Sequence, residues 1–178
     1  NDGNEGHRFG YSVAIQGGTI FSGAIYALGP AHNAGSVYLF DAVTHQEIGR
    51  LQASDSAPGY QFGSSIDVSG DVAIVGAPNY DSARGCAYIF DVSDPANPQE
   101  LNKITATDSS PLDYFGADVA INDEIAAVGA PNADVGNLLD IGSAYLFDTT
   151  TGAQLAKLLP ADPYPGSDFG EKVGISGT

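Results

Sequence analysis

The chain is poor in sulfur and in positive charge. Cys86 is its one cysteine and methionine is absent. A single cysteine excludes an intrachain disulfide framework. Cys86 stands in "GCAYIF", where the neighbouring copies of the same block carry serine, and reads as a small buried residue rather than a nucleophile. Lysine and arginine number 6 against 22 acidic residues, a formal charge of −16. Such a surface repels phosphate backbones and anionic lipid, which argues against nucleic-acid and membrane partners. It suits divalent cations, a basic partner, or plain solubility in a salty or extracellular medium. No apolar run approaches the roughly 18 residues of a membrane-spanning helix, and no stretch has the pattern of a signal peptide. A chain that opens "NDGNEG" and holds no methionine reads as a processed product or as part of something longer.

What is present is turn-forming and β-forming. The 178 residues are 43% hydrophobic, enough for one domain with its own core. The 23 glycines and 10 prolines belong to a turn-rich β protein.

The organising feature is a repeat. Phe-Gly recurs at Phe9-Gly10, Phe62-Gly63, Phe115-Gly116 and Phe169-Gly170, with spacings of 53, 53 and 54 residues. Seven residues before each Phe stands an aspartate: Asp2, Asp55, Asp108 and Asp162. Fourteen residues after it comes a small-residue block: Gly76-Ala77-Pro78, Gly129-Ala130-Pro131, and Gly23-Ala24-Ile25 in the first copy. Each copy then carries "GSVYLFD", "GCAYIFD" or "GSAYLFD". The connections on either side of that block vary in length, as surface loops on a constant frame do. The repeats run over about 2–54, 55–107 and 108–161, with a fourth beginning at 162–178.

Each period reads as four short strands, in the second repeat near 64–68, 71–75, 85–91 and 100–106. "SSIDV" alternates, "DVAIV" is apolar throughout, and "SGD" between them is a tight hairpin turn. Four antiparallel strands per period define the blade of a β-propeller. The expected fold is therefore all-β: three blades plus the first strand of a fourth, "EKVGIS", with no helix longer than about two turns. Three blades do not close a ring, so further blades of a longer parent chain, or further copies of this one, are the expected neighbours. In this frame the Phe wedges between sheets. The Gly after it allows close backbone approach. Gly-Ala-Pro ends an inner strand in a crowded place, with Pro stopping the ladder.

Phe-Gly followed by Gly-Ala-Pro at this spacing resembles the FG-GAP repeat, the blade unit of integrin α-subunit propellers and of many bacterial and marine cell-surface proteins. The resemblance covers essentially the whole chain. It implies an extracellular or cell-surface propeller, about seven-bladed when complete, that serves adhesion, protein interaction or assembly. Integrin-type blades often carry a calcium loop, D-x-D-x-D-G-x-x-x-D, between the first strands. Here that place holds only "QGG" (16–18), "SGD" (69–71) and "ND" (122–123), so the calcium site does not carry over. The sequence is closer to the short bacterial variant.

The candidate polar sites follow from the repeat. Asp2, Asp55, Asp108 and Asp162 either ring one face, holding cations or a neighbouring blade, or cap the turns they stand in; "ASDSAP" and "ATDSSP" favour the turn role. Asp81, Asp134 and Asp140 in the variable loops are candidate calcium ligands, oxygen donors being plentiful there. His7, His32 and His45 have no partner at metal-ligand spacing. Asp67 stands in a strand where the other copies have Ala14 and Ala120. Tyr80, Tyr114 and Tyr164 offer rings for stacking on sugars or for packing along blade edges. No nucleophile–base pattern occurs. The first expectation is thus a non-enzymatic module. The alternatives are a carbohydrate-binding propeller and an accessory part of a polysaccharide-degrading enzyme.

Overall fold

The alternation of apolar and polar residues in each repeat builds a stack of small sheets. A computed structural model describes residues 6–27, 33–122 and 124–176. The first sheet holds β1 (Phe9–Gln16), β2 (Thr19–Ala24), β3 (Ser36–Asp41) and β4 (Glu47–Leu51). The second holds β5 (Ile66–Ser69), β6 (Val72–Ala77), β7 (Cys86–Asp91) and β8 (Gln99–Ile104). The third holds β9 (Val119–Asn122), β10 (Ile125–Ala130), β11 (Ser143–Asp148) and β12 (Gln154–Leu158). Within each sheet the strands lie in sequence order and every pairing is antiparallel. The three sheets succeed one another as blades, the arrangement of a partial β-propeller.

The strands start and stop where the local chemistry dictates. Gly17-Gly18 and Gly70-Asp71 make two-residue hairpin turns, with positive φ at Gly17, Gly18 and Gly70. At the β3–β4 connection the Asp41 carboxylate accepts from the backbone N–H groups of Val43 and Thr44. Asp148 does the same for Thr151 in the third blade. The only helical turn among the described residues is α1 (Tyr80–Ala83). Asp81 and Ser82 sit there at φ 43° and 60°, so the turn is left-handed rather than a true α-helix.

The core lies between blades. One cluster joins Phe21, Val37, Leu39 and Leu51 of the first blade to Val75, Tyr88 and Phe90 of the second. A second joins Ile74, Ile89 and Ile104 of the second to Val119, Val128, Tyr145 and Phe147 of the third. "VAIVGA" and "CAYIFD" read as continuous apolar runs because the middle blade is covered on both faces.

Residues 171–176 differ from the expectation. They form no strand. A first strand here pairs with the second strand of its own blade, as β5 does with β6, and residues 171–176 have no such pairing among the described residues. The segment is held instead by Val173, whose N–H donates to the Asp118 carboxylate at 2.9 Å.

Candidate functional site

The repeated motif is a joint between blades. The Phe62 ring is edge-on to Tyr88 and Phe90 of its own third strand, with centroids 5.4 and 5.9 Å apart. Phe115 meets Tyr145 and Phe147 in the same way, and Phe9 meets Tyr38 and Phe40. The backbone of the Phe in the later repeats belongs to the blade before. Phe62 N–H donates to Ala34, Phe115 N–H to Arg84 and Phe169 N–H to Ile141, at 2.9–3.1 Å. The Gly that follows bonds to the Gly-Ala-Pro glycine of its own blade, Gly63 to Gly76 and Gly116 to Gly129. It also lies flat against the corresponding glycine of the previous blade. A Cβ on Gly23, Gly76 or Gly129 would fall on the carbonyl oxygen of Gly63, Gly116 or Gly170. The crowding that demands glycine in "GAP" therefore comes from the next blade's Phe-Gly. Ala77 and Ala130 end the second strands β6 and β10, and Pro78 and Pro131 follow them.

The conserved-spacing acids have definite partners. Asp55 accepts from the Tyr88 hydroxyl at 2.6 Å and from the Lys103 ammonium at 2.5 Å. Asp108 accepts from the Tyr145 hydroxyl at 3.1 Å and from Lys157 at 2.6 Å. Each acid precedes its blade in the chain and straps the entering segment to that blade's third and fourth strands. Asp162 is exposed, without such a partner among the described residues, and Asp2 lies outside them. Partial burial pushes both carboxyls up. The hydrogen bonds from lysine and tyrosine outweigh it, and Asp55 and Asp108 are held below the ordinary carboxylate range. Burial likewise opposes the charge on Lys103 and Lys157, yet their bonds to aspartate leave both raised. The lysines escaped the sequence reading. Arg50, Lys103 and Lys157 recur at spacings of 53 and 54, directly across from Tyr38, Tyr88 and Tyr145, and that recurrence was the signal.

Asp67 braces neighbouring first strands. Its Oδ2 accepts from Ile121 N–H at 2.8 Å, and Asp118 accepts from Val173 N–H in the same manner. Ser65 completes the contact, donating to Asp118 at 3.0 Å and accepting from Val119 N–H.

The loop acids are scattered. Asp81 pairs with Arg84 on its own turn at 3.4 Å, while Asp134 accepts from Asp140 N–H at 3.0 Å. Among the described residues no three His, Cys, Asp or Glu side chains gather as a metal site. His7 and His45 stand in different turns, and His32 lies outside the described residues. Cys86 is fully buried, and burial pushes its thiol up to about 12. Tyr80 packs on Tyr60 beneath the Lys103 ammonium, whereas Tyr164 is exposed.

Tyr114 lines a concavity of about 450 Å³ at the Gly-Ala-Pro ends of the blades. Equivalent positions of successive repeats surround it. Pro78-Asn79 and Pro131-Asn132 follow the two Gly-Ala pairs, Gln61 and Tyr114 precede the two Phe-Gly pairs, and Tyr11, Ser64 and Ala117 stand two residues after a Phe. Lys172 contributes from the final segment. The residue before each Phe is left-handed although none is glycine: Arg8, Gln61, Tyr114 and Asp168 have φ of 50–58°. The frame fixes that backbone, and the side chain changes from repeat to repeat.

Sheets of four antiparallel strands, joined at fixed intervals by the same aromatic-glycine contact, make this a repeat protein of the β-propeller class. The FG-GAP repeat model matches residues 1–40, 45–90 and 98–147, and the chain belongs to that family. Comparison with curated proteins gave no match.

Proposed function

We propose that the chain is a non-enzymatic interaction and assembly module that works outside the cell or at its surface. The observation that carries this reading is the outer face of β1. Phe9, Val13 and Ile15 are 59, 68 and 67% exposed, while the matching Phe62 and Phe115 are 1 and 0% exposed beneath a preceding blade. A face built to be covered by a blade invites another blade, supplied by a longer parent chain or by a second copy. FG-GAP repeats occur in extracellular adhesion and protein-interaction modules, which agrees with this use.

The polar groups support a binding rather than a catalytic role. The two described acids that recur with partners, Asp55 and Asp108, are taken up in straps, and the one thiol is buried and raised. Catalysis needs a nucleophile and base free to meet substrate.

Analytical ultracentrifugation of the 178-residue chain tests the reading. The expected result is concentration-dependent association that falls away in Val13→Asp. A monodisperse monomer at tens of micromolar, unchanged by Val13→Asp, would overturn it. Turnover of acidic polysaccharides by the purified chain would overturn the non-enzymatic part.

A further inference from the structure

We infer that the concavity at the Gly-Ala-Pro ends of the blades binds a neutral, hydroxyl-rich ligand of the saccharide class. This goes beyond the assembly reading and does not depend on it, since neither Val13 nor Ile15 of β1 lines the concavity.

The first argument is unused hydrogen-bonding capacity. Asn79 and Asn132 occupy the same position in successive repeats and both line the cavity. Their backbone N–H groups are spent on Tyr60 and Asp113. Their side-chain amides have no partner among the described residues. Each amide offers a donor pair and an acceptor side by side. Vicinal sugar hydroxyls, each able to give and accept, satisfy that combination. A simple cation or anion would leave half of each amide unmatched.

The second argument is charge. The chain carries −16, yet no acid lines this cavity. The one cation there, Lys172, already pairs with Asp118 at 3.2 Å. A cationic ligand finds no counter-charge in the wall, and an anionic one must approach through the field of the whole molecule. A neutral ligand meets neither obstacle.

The third argument is shape. The volume of about 450 Å³ falls within the range of about 300–1,000 Å³ usual for small-ligand sites. Pro78 and Pro131 give buried apolar wall, and the half-buried Tyr114 supplies an aromatic ring for the C–H face of a pyranose. Tyr114 sits at φ 55°, left-handed as the residue before Phe is in each repeat, and its N–H donates to Ala83 of the blade before at 2.9 Å, so its backbone is placed by the frame and not by the ligand. Left-handed backbone at a non-glycine residue is costly, and here it aligns side chains around a cavity.

The full chain would be applied to an array of immobilised neutral glycans ending in hexose, N-acetylhexosamine or deoxyhexose, beside sialylated, uronate-ended and amine-bearing controls. The expected result is binding to at least one neutral class. That binding should be at least tenfold weaker in an Asn79→Ala/Asn132→Ala double variant and in Tyr114→Ala, each with its thermal midpoint measured. Should a variant fail to fold, the unaltered chain titrated with the methyl glycoside of the preferred sugar must show 1H–15N shifts at the side-chain amides of Asn79 and Asn132. Absence of any neutral binder, a preference for the charged controls, binding within twofold in the folded double variant, or shifts confined to other residues would each overturn the proposal.

Discussion

Asp55 shows how much one carboxylate does in this chain. It stands on the segment that enters the second blade, yet its partners are 33 and 48 residues further on, at Tyr88 and Lys103. Its folded value is lowered, so its contribution is complete above the ordinary carboxyl value of about 4 and is lost as pH falls through the lowered one. Lys103 is raised, so its share is complete below about 10.4 and is lost as pH climbs through the raised value. The strap should therefore act fully between about pH 5 and about pH 10. We expect Asp55→Asn to cost about 1–2 kcal/mol at pH 7, the lysine being only partly exposed and the tyrosine bond being to a charge. Urea unfolding at pH 7 and at pH 3 checks this, because the gap between variant and parent should shrink at the lower pH. The same residue marks a limit of reading from sequence. Asp55 and Asp108 stand in "ASDSAP" and "ATDSSP", which look like self-contained turns. Their bonds instead reach across the following blade, and only the strand register brings Lys103 opposite Tyr88. The left-handed backbone before each Phe was equally hidden, because Arg, Gln, Tyr and Asp share no chemistry that announces it.

At the scale of the element, much more was legible. The recurring Phe-Gly and the pairs of apolar runs specify four strands per period, and the observed strands of the second blade fall within two residues of their expected starts and ends. A local pattern suffices there because hairpin pairing is itself local. What joins one blade to the next is steric, and it separates glycines that look alike in the sequence. Gly70 sits in a turn at φ 56° with open space around it. Gly76 has an ordinary backbone, but the Gly116 carbonyl occupies the place of its Cβ. Gly70→Ala should cost about 1 kcal/mol, the penalty of a left-handed alanine. Gly76→Ala should cost about 3 kcal/mol or more, because two backbones must part. Thermal melts of the two variants decide the order, and equal losses would contradict the steric joint.

The whole molecule is a short series of nearest-neighbour contacts. The second blade is covered on both sides, while the first shows the face of β1 to solvent. Stability should then rise toward the middle. Native-state hydrogen exchange should find the slowest amides in β6 and β7, with β1 among the fastest strands. A uniform exchange rate across the three sheets would show that the blades open only together. For the same reason Phe62→Ala should cost about 3–5 kcal/mol and Phe9→Ala far less, though the two residues are equivalent in the repeat.

The joint also sets an order of events during synthesis. The ring that fills the gap between the first and second blades is Phe62, and the glycine that seats on Gly23 is Gly63; both are made after β4 is complete. Each blade's rear face is thus sealed by residues the ribosome has yet to deliver. At about 5–20 residues per second, a finished sheet waits about a second with one apolar side bare before the next Phe-Gly arrives. A nascent chain stalled just after Leu51 would hold an unsealed blade, and one stalled well past Asp91, with Val75, Tyr88 and Phe90 also made, a sealed one.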